Sequence, residues 1–109
     1  MEILNYTGKD VGLTNTSGSP LIILPSVGKA RFDSVQFEQV SKVGGAPIFI
    51  KKIGKVLGLP KPDPNHEKYY VVPSEVAERA KIYRFDLLTV EDSFSYEGAI
   101  FYRKIVNYA

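Results

Sequence analysis

The chain has 109 residues, 44% of them hydrophobic and 24% charged, with no cysteine and one histidine. It describes one soluble domain that buries roughly 65% of its unfolded surface without disulfide or metal staples. It excludes disulfide frameworks, thiolate metal sites, cysteine nucleophiles and every mechanism that needs two imidazoles.

Fourteen basic against twelve acidic residues leave a net charge of +2, well short of a dedicated duplex-DNA binder. The apolar run around Leu21 to Leu24 is far shorter than the roughly 20 residues of a membrane span. Met-Glu-Ile-Leu-Asn-Tyr at the N-terminus has neither a basic lead nor an apolar signal core. The expectation is a cytoplasmic protein with no membrane partner.

Nine glycines and seven prolines fall at short intervals between segments rich in β-branched and aromatic residues, the punctuation of a strand-rich domain. Ile3 to Tyr6 and Val11 to Thr14 read as short strands. Asn15-Thr16-Ser17-Gly18-Ser19 supplies a turn, and Leu21 to Leu24 returns as the second arm of a hairpin that Pro25 stops. Ala30 to Val40 is a longer strand whose period-2 pattern shifts partway, which predicts a bulge or bend. After a Gly44-Gly45 loop, Pro47 to Ile53 forms a further strand, and Gly54 to Leu57 either pairs with it or continues it past a kink.

Residues 58 to 68 carry Pro60, Pro62 and Pro64 at alternate positions, which blocks both helix and ladder and leaves an ordered extended loop. Tyr69 to Val72 resumes a strand. Residues 74 to 81 form the principal helix: Ser74 caps it, Glu75 and Lys81 suit its two ends, and Val76, Ala77 and Ala80 give it one apolar face. Arg84 to Val90 and Ala99 to Val106 are the last strands, with the polar segment Glu91 to Gly98 as a loop between them. The expected fold is a single small α+β domain over residues 1–109, dominated by a twisted, mostly antiparallel sheet with this one short helix.

Few residues announce chemistry. His66 stands in the proline-rich loop with no second imidazole for proton transfer or metal binding, so its loss should leave function untouched. Gly28 and Gly44-Gly45 lack the strand and helix context of a Walker or dinucleotide fingerprint. Arg31 and Arg84 each sit in an apolar strand pattern with an aspartate two positions on. That spacing permits a local ion pair, or a guanidinium fork offered to a phosphate and oriented by the carboxylate. Six of seven tyrosines fall from Tyr69 onward, as core or interface rings or as surfaces for base stacking. Lys51, Lys52, Lys55 and Lys61 form a solvated positive stretch.

A series of landmarks in order resembles a group of small uncharacterised phage and prophage accessory proteins. They are Leu4-Asn5-Tyr6-Thr7 with Asp10-Val11, Ile23-Leu24-Pro25-Ser26 with Gly28 and Ala30-Arg31, Gly45-Ala46-Pro47-Ile48, Gly58-Leu59-Pro60 with Pro62, Tyr70-Val71-Val72 before Val76-Ala77, and Arg84 with Asp86-Leu87-Leu88. The similarity spans nearly the whole chain. It departs at the opening, where those proteins often read Asn-Leu-Thr-Pro-His and this chain has Tyr6-Thr7-Gly8-Lys9.

The resemblance implies an anti-defence protein that binds and sequesters a nucleotide-derived immune signal, a cyclic nucleotide or ADP-ribose derivative, without cleaving it. The ligand site is expected among Asn5, Thr7, Ser26, Arg31, Tyr70, Arg84, Asp86 and Tyr102, with no catalytic residue, metal or cofactor. The alternatives are a module that inhibits a host protein by surface contact and an enzyme that degrades the signal. A homo-oligomer is expected, because Phe101 and Tyr102 on opposite faces of the last strand exceed what one helix can cover, with Arg103 and Lys104 lining a pocket shared between subunits.

Overall fold

The computed structural model describes residues 2–33, 36–52 and 54–108. Ten strands and one helix follow in chain order: β1 (Glu2–Asn5), β2 (Val11–Thr14), β3 (Pro20–Leu24), β4 (Arg31–Phe32), β5 (Gln36–Val43), β6 (Ala46–Lys52), β7 (Val56–Leu57), β8 (Lys68–Val71), α1 (Ser74–Ala80), β9 (Leu87–Tyr96) and β10 (Ala99–Asn107). Six strands form the main sheet in the order β1-β8-β9-β10-β2-β3, while β4-β7 and β5-β6 make two small sheets.

This is the β-rich α+β fold with one short helix that the punctuation predicts. Its main sheet is mixed: β1-β8, β8-β9 and β10-β2 run parallel, and β9-β10 and β2-β3 antiparallel. Both small sheets are antiparallel, so antiparallel ladders prevail only narrowly among the described strands.

The first hairpin forms as its turn chemistry requires. The Asn15 side-chain carbonyl accepts the backbone N–H groups of Ser17 at 3.0 Å and Ser19 at 3.1 Å, an Asx turn that sets the β2-β3 register.

Three expectations are corrected. The segment Glu91 to Gly98 is not a loop: β9 runs through it to Tyr96 and turns on Glu97 and Gly98 alone, both at positive φ (49° and 79°), the two-residue geometry that matches strand twist. Phe94 and Tyr96 alternate there with exposed polar residues, a strand signal that the polar composition masked. The stretch Ala30 to Val40 divides between β4 and β5, in different sheets, with Val35 outside the described residues. The segment 54–57 pairs through β7 with β4, neither joining nor extending β6; Ile53 also lies outside the described residues.

The two end strands of the main sheet approach each other and nearly close a barrel. The Val27 N–H donates to the Asn5 carbonyl at 2.9 Å and the Ala30 N–H to the Tyr6 carbonyl at 2.9 Å, and bridges join Asn5 with Ser26 and Thr7 with Lys29. Against this sheet α1 lays the apolar face expected of it. Val76, Ala77 and Ala80 are buried with Ala30, Tyr70, Val72 and Leu87 in one cluster, each valine or leucine contributing about 1.5–3 kcal/mol. The helix needs that packing, since seven residues are too few to hold in water. Pro73, not Ser74, occupies its N-cap, and no side-chain hydrogen bond caps it.

Phe101 is buried, near Phe94 and Tyr96 and over Gly12, where a Cβ would come within 2.6 Å of its ring. Tyr102 lines cavities on the other face of β10. The last strand therefore carries no pair of uncovered rings; its exposed apolar side chains are Ile100 and Ile105.

Among the described residues no helix is long and apolar enough to cross a membrane.

Candidate functional site

The buried side chain of Asn5 organises the seam of the near-barrel. Its amide donates to the carbonyls of Lys9 and Leu24, both at 2.8 Å, and its Oδ1 accepts the Thr7 N–H at 3.0 Å. Thr7 Oγ1 lies 2.7 Å from Asn5 Oδ1 and 2.9 Å from the Lys9 carbonyl, and its single proton serves one of them. Across the seam Ser26 donates its hydroxyl to the Gly28 carbonyl at 2.7 Å and accepts the Gly8 N–H at 3.1 Å. A buried asparagine with both ends satisfied holds its surroundings in one arrangement. Here it curls residues 5–9 into a tight loop beside residues 26–29.

The loop presents Lys9 and Lys29 at the mouth of a cavity of about 460 Å³, which Thr7, Ser74, Glu75, Thr89 and Tyr102 also line, over an apolar floor that includes Val72 and Val90. The position follows from topology: parallel strands β1 and β8 end here, and β8 leads directly into α1. The volume lies in the range of small-molecule sites.

Thr89 distinguishes this cavity from the others. It is 2% exposed, and its hydroxyl has no hydrogen-bond partner within the protein. Leaving a buried hydroxyl unpaired costs about 1–3 kcal/mol. Among the described residues it is the one buried side-chain polar atom so left, and it belongs to the cavity's lining. Two lysines, one glutamate, Thr7, Ser74 and Thr89, and a tyrosine thus line one space, with the Thr89 hydroxyl sealed beneath its surface.

Of the expected site residues, Thr7 and Tyr102 line this cavity, while Asn5 and Ser26 hold the adjoining seam and do not line it. Arg84, Asp86 and Tyr70 form a separate cluster. Arg84 Nε and Nη2 donate to the two carboxylate oxygens of Asp86 at 2.8 and 2.7 Å, and Nη1 donates to the Pro60 carbonyl at 2.9 Å. The guanidinium also lies 5.7 Å from the Tyr70 ring centroid, and burial pushes the Tyr70 phenol above its ordinary value. With Asp86 fully buried and the Arg84 side chain 10% exposed, this is the local ion pair, one of the two arrangements that the spacing permitted. Arg31 stands exposed on β4, in the small sheet. His66 stacks on Phe85 at 4.3 Å between ring centroids, and neither it nor Arg103 and Lys104 line the cavity.

Sequence reasoning missed Lys9, Lys29 and Thr89 as site residues. Lys29 follows Gly28 and Thr89 sits in an apolar strand, so nothing local marks them; their meeting depends on the barrel seam. No protein-family model, curated protein or solved structure matches the chain.

Proposed function

We propose that this chain is a binding protein that sequesters a small nucleotide-derived ligand in the cavity beneath Lys9 and Lys29. The observation that carries the reading is a cavity of about 460 Å³ whose lining brings Lys9 and Lys29 together with Ser74, Glu75 and the Tyr102 ring. A ligand with an anionic group would meet the lysines, its hydroxyl or amide groups would meet Ser74, and a base or other flat ring would lie on Tyr102. Glu75, on the same lining, favours a ligand that also offers N–H or O–H donors, as ribose and adenine do. The lining holds one carboxylate and no imidazole or thiol, which suits retention of an intact ligand better than acid-base cleavage. Taken with the resemblance to phage and prophage accessory proteins, sequestration serves defence evasion by lowering the free concentration of an immune signal.

The test is calorimetry and mass spectrometry of the protein with a panel of cyclic dinucleotides, cyclic trinucleotides and ADP-ribose cyclised or linear, followed by heat release. The expected result is one panel member bound and recovered intact, with affinity reduced at least tenfold in the Lys9→Ala/Lys29→Ala double variant. Thr89→Val should raise the melting temperature of the free protein, because it removes a buried hydroxyl that has no partner. Recovery of a cleaved product, or binding indifferent to both lysines, would remove this reading.

A further inference from the structure

The hairpin β5-β6 has no seat in its own molecule. All described side chains along it are exposed, and its strands pack extensively only on each other. Yet it carries Phe37, Val40, Val43, Ile48, Phe49 and Ile50, which are between 41% and 66% exposed. The register places Phe37 and Phe49 on one face with Lys42 and Lys51, and Val43, Ile48 and Ile50 on the other. Reorienting the arm as a rigid piece cannot hide both faces.

An isolated two-stranded hairpin is marginally stable in water. These six side chains expose on the order of 600 Å² of apolar surface, divided between the two faces of the hairpin. A stable interface takes about 800 Å² from each partner, so the arm supplies part of one side.

The chain also offers a matching surface. A groove of about 320 Å³ between β3 and the β9-β10 turn is lined by Leu21, Ile22, Ile23, Tyr96 and Phe101, with Glu97 also in its lining. β3 is an end strand of the main sheet, and its sequence, PLIIL, bears no charge to discourage pairing. The arm carries three lysines, Lys42, Lys51 and Lys52, against one acidic residue, Glu38, so its cations complement Glu97. An arm built into the fold needs cover whenever the chain is folded, and the partner always present in equal amount is a second copy.

We infer that two copies associate by reciprocal exchange, the β5-β6 arm of each lying in the groove beside β3 of the other, in a two-fold dimer. Each arm then buries one of its apolar faces in the groove, and each β3 is covered. The association does not depend on the ligand reading, since neither the arm nor β3 lines the cavity beneath Lys9 and Lys29.

Light scattering on the eluting protein at micromolar concentration should give twice the 12.1 kDa chain mass. Phe37→Asp/Phe49→Asp and, separately, Ile22→Lys should each return the mass of one chain with an unchanged far-UV spectrum, all three positions being exposed. On the otherwise unaltered chain, a photo-crosslinking side chain at position 49 should join the arm of one copy to residues 20–24 of the other. A monomeric parent, a ring larger than a dimer, a dimer that persists in both variants, or cross-links from arm to arm would each overturn the exchange.

Discussion

The two polar pairs that most resemble chemistry in the sequence, Arg31 with Asp33 and Arg84 with Asp86, do not line the cavity, and a solitary threonine does. The physical difference is satisfaction. Arg84 directs three donors at Asp86 and Pro60, so what the pair secures is its own burial. Its energetics follow the rule for buried ions: the pair as a whole adds little, but one member without the other is costly. Arg84→Ala should therefore lower stability by about 3–5 kcal/mol, read from urea unfolding, because Asp86 is left charged and fully buried. Replacing both, Arg84→Met with Asp86→Leu, should recover most of the loss. A variant of Arg84 that keeps its stability and loses ligand affinity would instead assign the guanidinium to the ligand.

Among the elements, the proline-rich segment shows how a stretch without ladder or helix stays ordered. The Asp63 carboxylate accepts the backbone N–H groups of Asn65 and Glu67, both at 3.1 Å, and His66 between them takes a left-handed φ of 56°. The Asn65 N–H foremost, then that of Glu67 and the charges of Lys68 and His66, outweigh desolvation and hold the Asp63 carboxyl below its ordinary value. A carboxyl lowered in the folded state stabilises above the unfolded value, about 3.9, and that contribution is lost as pH falls through the lower folded value. The expected observation is an Asp63 carbon titration with a midpoint below about 3.9, with the Asn65 and Glu67 amides losing exchange protection over the same pH interval. Asp63→Asn should abolish that dependence; a midpoint at or above the unfolded value would contradict the turn.

At the scale of the whole molecule, the radius of gyration is 17.7 Å with extents of 59 × 34 × 21 Å, against about 13 Å for a compact chain of this length. The excess comes from an arm that leaves the barrel with its apolar side chains exposed. If the arm is covered by a second copy, folding stability includes an association term and must rise with concentration. The melting temperature should increase steadily between about 1 and 100 µM for the parent chain and stay constant for Phe37→Asp/Phe49→Asp; a concentration-independent parent would leave the arm without a partner of its own kind.

What the sequence determined by itself is local and periodic. The Asn15 turn, the β2-β3 hairpin, the helix with Val76, Ala77 and Ala80 inward, and the ordered loop at Pro60–Pro64 all rest on residues within a few positions of one another, where dihedral preference and side-chain hydrogen bonds act directly. The strand from 91 to 96 was legible too, through Phe94, Tyr96 and the Glu97-Gly98 turn, and was obscured by the acidic and serine residues that a one-sided strand turns to water. Tertiary structure alone decided the rest. Parallel pairing of β1 with β8 joins segments more than 60 residues apart in the chain, and loop closure over such distances is written in no local pattern. The site inherits that dependence: Lys9, Lys29, Thr89 and Tyr102 share one cavity only because Asn5 closes the seam, and whether a buried hydroxyl is satisfied is a property of the space around it rather than of the residues beside it in sequence.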